Sequence, residues 1–163
     1  MSRTKLPDKK LLLKRHEEVR PLYKQLIQET RFILEKTISE KRIKIYSIQD
    51  RIKDFDSFYN EVVFNNIIKD PFEKINDIAS IRITCFWRSG FESIGKLISE
   101  QLEVIETHIK NFPSVKTTGL REYVPDHYIV KLPKKCKGPR YDKIKPLKCE
   151  IQVRFLEGEV MIG

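Results

Sequence analysis

The chain has 163 residues, 40% hydrophobic and 34% charged, with 32 Lys and Arg against 23 Asp and Glu for a net charge of +9. That length suffices for one domain with its own core; no run approaches the roughly 18 apolar residues of a membrane span, and the charged N-terminus lacks the apolar centre of a secretion signal. Cys85, Cys136 and Cys149 are odd in number and widely spaced, which argues against a disulfide framework or a zinc knuckle and for reduced thiols in the cytoplasm, while the basic excess favours anionic partners such as nucleotides or RNA.

The first half reads as helix. From Leu11 to Lys36, Val19, Leu22, Leu26, Phe32 and Ile33 recur at near-helical spacing, with Pro21 expected to break the helix or to open a new one. Lys41-Arg42-Ile43-Lys44 forms a basic connector, after which Ser47 is expected to cap a second helix through Ile48, Ile52, Phe55, Phe58 and Val62. The second half changes period. Residues 78–86 (IASIRITCF), 103–109, 127–132 (HYIVKL) and 149–155 (CEIQVRF) read as strands, with a helix over 91–102. Between the last two strands, residues 131–148 carry eight basic residues and one acid, Asp142, punctuated by Gly138-Pro139 and Pro146, and read as an extended loop. The pattern predicts an α+β domain, helices packed on a small mixed sheet.

Alternation in the strands sorts the side chains by face. With Ile151, Val153 and Phe155 inward, Glu150, Gln152 and Arg154 share the other face; Ser80, Arg82 and Thr84 do the same on the earlier strand, with Asp77 at its entrance. Taken singly, each such row is an ordinary solvated polar face. Together, Asp77 and Glu150 form a carboxylate pair suited to Mg²⁺, which takes one or two carboxylates and leaves other positions to water and phosphate. The chain has no Gly-x-x-x-x-Gly-Lys-Ser/Thr loop, no Gly-x-Gly-x-x-Gly turn and no His-Glu-x-x-His helix, so phosphates would be held by side-chain cations. His16 and His108 lie in polar surroundings and read as surface residues, leaving His127 as the functional histidine.

The order Arg42-Ile43-Lys44, Tyr46-Ser47-Ile48, Asp77-Ile78-Ala79-Ser80-Ile81-Arg82, Tyr123 to His127, and Glu150-Ile151-Gln152-Val153-Arg154 resembles the synthetase domain of RelA/SpoT proteins and small alarmone synthetases. The resemblance implies a nucleotidyltransferase-like fold: a mixed sheet flanked by helices, with a helical N-terminal segment at 1–38, a catalytic core at 39–155 and a short tail at 156–163, all one domain. It implies Mg²⁺-dependent transfer of pyrophosphate from ATP to the 3′-hydroxyl of GDP or GTP, giving (p)ppGpp. Asp77 and Glu150 match the family's metal-binding and hydroxyl-activating acids. Arg42 and Arg82 match the arginines that stack on adenine; Lys44, Arg51 and Lys53 match phosphate-binding cations, the last two on the following helix. Tyr123 matches the aromatic that stacks on the acceptor base, with His127 and Gln152 beside it. The acceptor motif departs from the family pattern: Glu122-Tyr123-Val124-Pro125-Asp126-His127 lacks the usual glycine and serine. The segment after Phe155 is short against the family, which implies a truncated or divergent member and an exposed apolar surface suited to self-association. Two alternatives stay open: a toxin-type relative acting on adenine nucleotides or tRNA 3′ ends, and a non-catalytic remnant that binds nucleotide or a partner.

Overall fold

The computed structural model describes residues 5–109 and 125–156. It opens on a single helix, α1 (Lys9–Glu40), capped by the Asp8 carboxylate, which accepts from the Lys10 and Leu11 amides. Leu12, His16, Val19, Tyr23, Leu26, Ile27, Thr30, Leu34, Thr37 and Ile38 form its buried stripe at three- and four-residue intervals. Pro21 does not end it. The proline ring lies on the exposed side of a continuous helix, where one missing donor leaves the packed stripe intact. Phe32, by contrast, falls off the stripe and is exposed.

The helix predicted from Ser47 is replaced by β1 (Ile45–Ile52), followed by α2 (Phe55–Phe64), whose cap is Asp54 accepting from the Ser57 amide at 2.8 Å. Ile45, Ile48 and Ile52 have helical spacing; antiparallel pairing with β2, with a bulge between Ile45 and Ser47, brings all three to one face of an edge strand instead. Next come α3 (Pro71–Lys74), β2 (Ala79–Cys85), α4 (Ser89–Gln101), β3 (Glu103–His108), β4 (Asp126–Lys131) and β5 (Cys149–Phe155). The last three strands, β2 and α4 lie where sequence periodicity predicts them.

The five strands form one mixed sheet in the order β1-β2-β5-β4-β3, in which only β2 and β5 run parallel. Ile81, Ile83, Ile151, Val153, Tyr128 and Val130 pack on α1 and α4 to make the core. At Gly95 on α4, an added Cβ would lie 2.5 Å from the Tyr128 hydroxyl, so the absence of a side chain there sets how closely helix and sheet approach. Among the described residues, no helix is long and apolar enough to cross a membrane.

The basic segment between β4 and β5 is a series of turns pinned to the body of the protein. Ile144 is wholly buried, Arg140 bonds Glu29 on α1 with its Nε at 2.9 Å, and Lys145 Nζ donates to the Cys136 carbonyl at 2.7 Å. Lys148 reaches the backbone and carboxylate of Glu73.

Candidate active site

Strand register fixes which polar side chains share the face opposite α1 and α4. Ser80 is paired with Glu150, Arg82 with Gln152 and Thr84 with Arg154 across the parallel β2/β5 junction; on the far side Gln152 is paired with His127. On the near side, Arg51 is paired with Ser80 and Gln49 with Arg82. Side chains predicted from separate segments are therefore assembled into one polar surface by backbone pairing alone.

A cleft of about 550 Å³ lies at the β1 end of this surface, lined by Arg31, Ile48, Gln49, Asp50, Arg51, Asp77, Ser80, Arg82 and Gln152. Asp77, Arg51, Arg82 and Gln152 were legible candidates; Arg31 was not. It comes from α1, where its Nη1 donates to Asp50 at 2.6 Å and its Nε to Glu35. Those two acids hold the Arg31 guanidinium pKa above its ordinary value. An arginine on a helix face carries no sequence signal for a site built mainly on the strands that follow it.

Glu150 stands next to this cleft. Its Oε1 receives the Gln152 amide at 2.9 Å and lies 3.0 Å from His127 Nδ1, while the carboxylate keeps little exposure. The three residues come from β4 and β5, and the pairing of His127 with Gln152 puts the imidazole over the carboxylate.

Arg51 and Lys53 are not on a helix: Arg51 is on β1 and Lys53 follows it. Arg51 is exposed to the cleft, whereas Lys53 is buried, and its ammonium bonds Glu61 on α2 at 2.6 Å and both oxygens of Asp77 at 2.9 and 3.1 Å. Burial favours the neutral lysine, but the hydrogen bonds and charges of Glu61 and Asp77 outweigh it and hold the pKa above the ordinary lysine value. His16, expected at the surface, is buried instead; its Nε2 lies 2.9 Å from the Lys53 carbonyl and its ring packs against Phe55 and Phe58.

Arg42 and Lys44 are exposed and do not line the cleft. They precede β1 at the end where Ile45 pairs with Cys85, whereas Asp77 precedes the start of β2; Lys44 and Arg51 are thus about 20 Å apart along an extended strand. Arg42 closes α1 in a left-handed conformation with φ 56°, its amide donating to Ser39 and the Ile43 amide to Ile38, a Schellman closure that usually uses glycine. Tyr123 lies outside the described residues.

The donor set matches Mg²⁺ better than zinc. Asp77, with Ser80 beside it in the cleft, offers oxygen ligands, and the remaining positions would fall to water and phosphate. Among the described residues there is no group of three or more His, Cys, Asp or Glu side chains placed to enclose a metal by themselves.

The model of the region found in RelA / SpoT proteins matches residues 50–161, more than half of the chain. The chain belongs to the RelA/SpoT family. A search of curated protein sequences finds no match. Among solved structures, a GTP pyrophosphokinase family protein from Streptococcus pneumoniae is 18% identical, with 88% of this chain aligned to 70% of that one at a TM-score of 0.64. The small alarmone synthetase 1 from Bacillus subtilis bound to its product pppGpp is 21% identical, over 88% and 73% of the two chains, with a TM-score of 0.63. The same enzyme bound to AMPCPP is 19% identical, over 86% and 70%, with a TM-score of 0.58. These likenesses give this RelA/SpoT chain the fold of the small alarmone synthetases, a mixed sheet with flanking helices.

Proposed function

We propose that this chain transfers pyrophosphate from ATP to the 3′-hydroxyl of GDP or GTP, giving AMP and (p)ppGpp. The observation that carries the reading is the single polar sheet face on which cations and carboxylates converge: Arg51, Arg82 and Asp77 in the cleft, with Glu150 beside Gln152. The related Bacillus enzyme, solved with its product pppGpp and with AMPCPP, supports a nucleotide donor and a guanosine product.

In this reading Arg82 stacks on the adenine, as a flat guanidinium can, with Arg42 as the second stacking arginine. Arg51 binds phosphate oxygens from the cleft, while Lys44, outside it, is assigned to phosphate by the family resemblance alone. Tyr123 and His127 frame the acceptor. The Glu150 carboxylate accepts the proton of the acceptor hydroxyl as its oxygen bonds the β-phosphorus; the bond from that phosphorus to the oxygen bridging the α-phosphate breaks, and AMP leaves. Gln152 and His127, both on Oε1, fix the carboxylate and leave its other oxygen for the incoming hydroxyl. Mg²⁺, held through Asp77 with support from Glu150, would offset charge on the reacting phosphates. Such substrates place the enzyme in the cytoplasm.

The test is a product assay with labelled ATP and Mg²⁺ against GDP, GTP, AMP, ADP and tRNA. AMP together with pyrophosphorylated guanosine is expected, and Asp77→Asn and Glu150→Gln should each reduce the rate by at least about 100-fold. Label on tRNA or adenine nucleotides would replace the guanosine acceptor. Absence of AMP with every acceptor, or a Glu150→Gln enzyme at the parent rate, would overturn the reading.

A further inference from the structure

Among the described residues Lys53 is the one buried Lys or Arg, and no step of the proposed reaction uses it. Its amide donates to the Ile78 carbonyl at 2.8 Å, and its own carbonyl accepts from His16. The backbone is thus fixed from both sides and only the side chain has freedom. Its ammonium contacts both oxygens of Asp77, the atoms that would serve a divalent cation as ligands, and a third bond runs to Glu61. Asp77 and Glu61 keep partial exposure while the Lys53 side chain has almost none, so the contact is reached by solvent from the acid side only.

We propose that Lys53 is a positioning residue that occupies the metal face of Asp77 until a divalent cation arrives, and that Glu61 receives its ammonium when the cation displaces it. This rests on the reading of Asp77 as a metal ligand. One ammonium and two carboxylates leave the trio one net negative charge, so an incoming cation meets a favourable site even though Lys53 is present. A lysine paired with Asp77 alone would be neutral and would resist the cation. Glu61, at the shortest of the three contacts, offers the ammonium a partner that costs no backbone movement. A plain core ion pair would also neutralise buried charge, but it would not tie metal affinity to Glu61.

Mn²⁺ binding to the purified chain, followed by the loss of the free-ion electron paramagnetic resonance signal, tests this without turnover. Lys53→Met should tighten Mn²⁺ binding by roughly five- to tenfold and Glu61→Gln should weaken it by a similar factor, while Asp77→Asn should abolish it. Loss in Asp77→Asn, with Lys53→Met and Glu61→Gln both within about twofold of the parent, would overturn the Lys53 role and leave the metal ligand standing. Unchanged binding in Asp77→Asn would overturn the ligand itself and the Lys53 role with it. So would an absence of Mn²⁺ binding in both the parent and Lys53→Met. Circular dichroism checks that Lys53→Met folds; if it does not, the partly exposed Glu61→Gln carries the test, and unweakened binding there overturns the proposal.

Discussion

His16 illustrates how a residue's neighbours in sequence mislead about its environment. Flanked by Arg15, Glu17 and Glu18, it reads as a surface side chain, yet it is on the buried stripe of α1 and reaches across to the Lys53 carbonyl. That carbonyl can only accept, so the imidazole donates from Nε2. Replacing His16 with leucine keeps the bulk and removes the donor, leaving a buried carbonyl unsatisfied. We expect His16→Leu to lower stability by about 1–3 kcal/mol, read from the urea midpoint. Lys53 shows the complementary case: its position suggested a phosphate ligand, and in the structure its partners are protein carboxylates from α2 and the entrance to β2. Asp77, Glu150 and Arg82 were legible because each falls at a strand whose alternation sets its face; the partners that orient them were not, since no local pattern encodes a contact between β1, α2 and the entrance to β2.

At the scale of elements, the junction between α1 and β1 joins two demands on one residue. The closing turn needs φ above zero at Arg42, and the same residue is a candidate for the adenine site. Glycine would satisfy the turn without steric cost. Arg42→Gly should therefore leave the fold as stable as the parent or more stable by up to about 1 kcal/mol, while weakening binding of a non-hydrolysable ATP analogue. Thermal unfolding and calorimetric titration read the two effects separately; a destabilised Arg42→Gly chain would mean that the guanidinium contributes to the fold. The exchange of a predicted helix for β1 has a related cause. Ile45, Ile48 and Ile52, at three- and four-residue spacing, suit a helix directly and share one face of a strand only through the bulge between Ile45 and Ser47; the hydrogen bonds offered by the open edge of β2 settle it. Alternation in β2, β4 and β5 left no such ambiguity.

Across the whole molecule, core and site are two faces of one sheet. Ile151 is wholly buried at the sheet centre, paired with Ile81 on one side and Tyr128 on the other, and its sequence neighbours Glu150 and Gln152 point to the opposite face. Ile151→Ala should cost roughly 2–5 kcal/mol in a urea titration, through lost burial and the cavity left behind. Activity at temperatures where the variant remains folded should fall as well, because the strand that carries Glu150 loses its anchor; an enzyme at full rate would separate core from site. The sequence by itself determined the period of four strands, the faces of their side chains and the motifs that resemble the RelA/SpoT synthetases. These are local properties, fixed by alternation and residue order. Only the tertiary structure decided that residues 45–52 form an edge strand, that Arg31 enters the cleft, that His16 is buried and that Lys53 covers Asp77. Each of those depends on which segments meet in space, and pairing between distant segments is set by the packing of the whole sheet against α1 and α4.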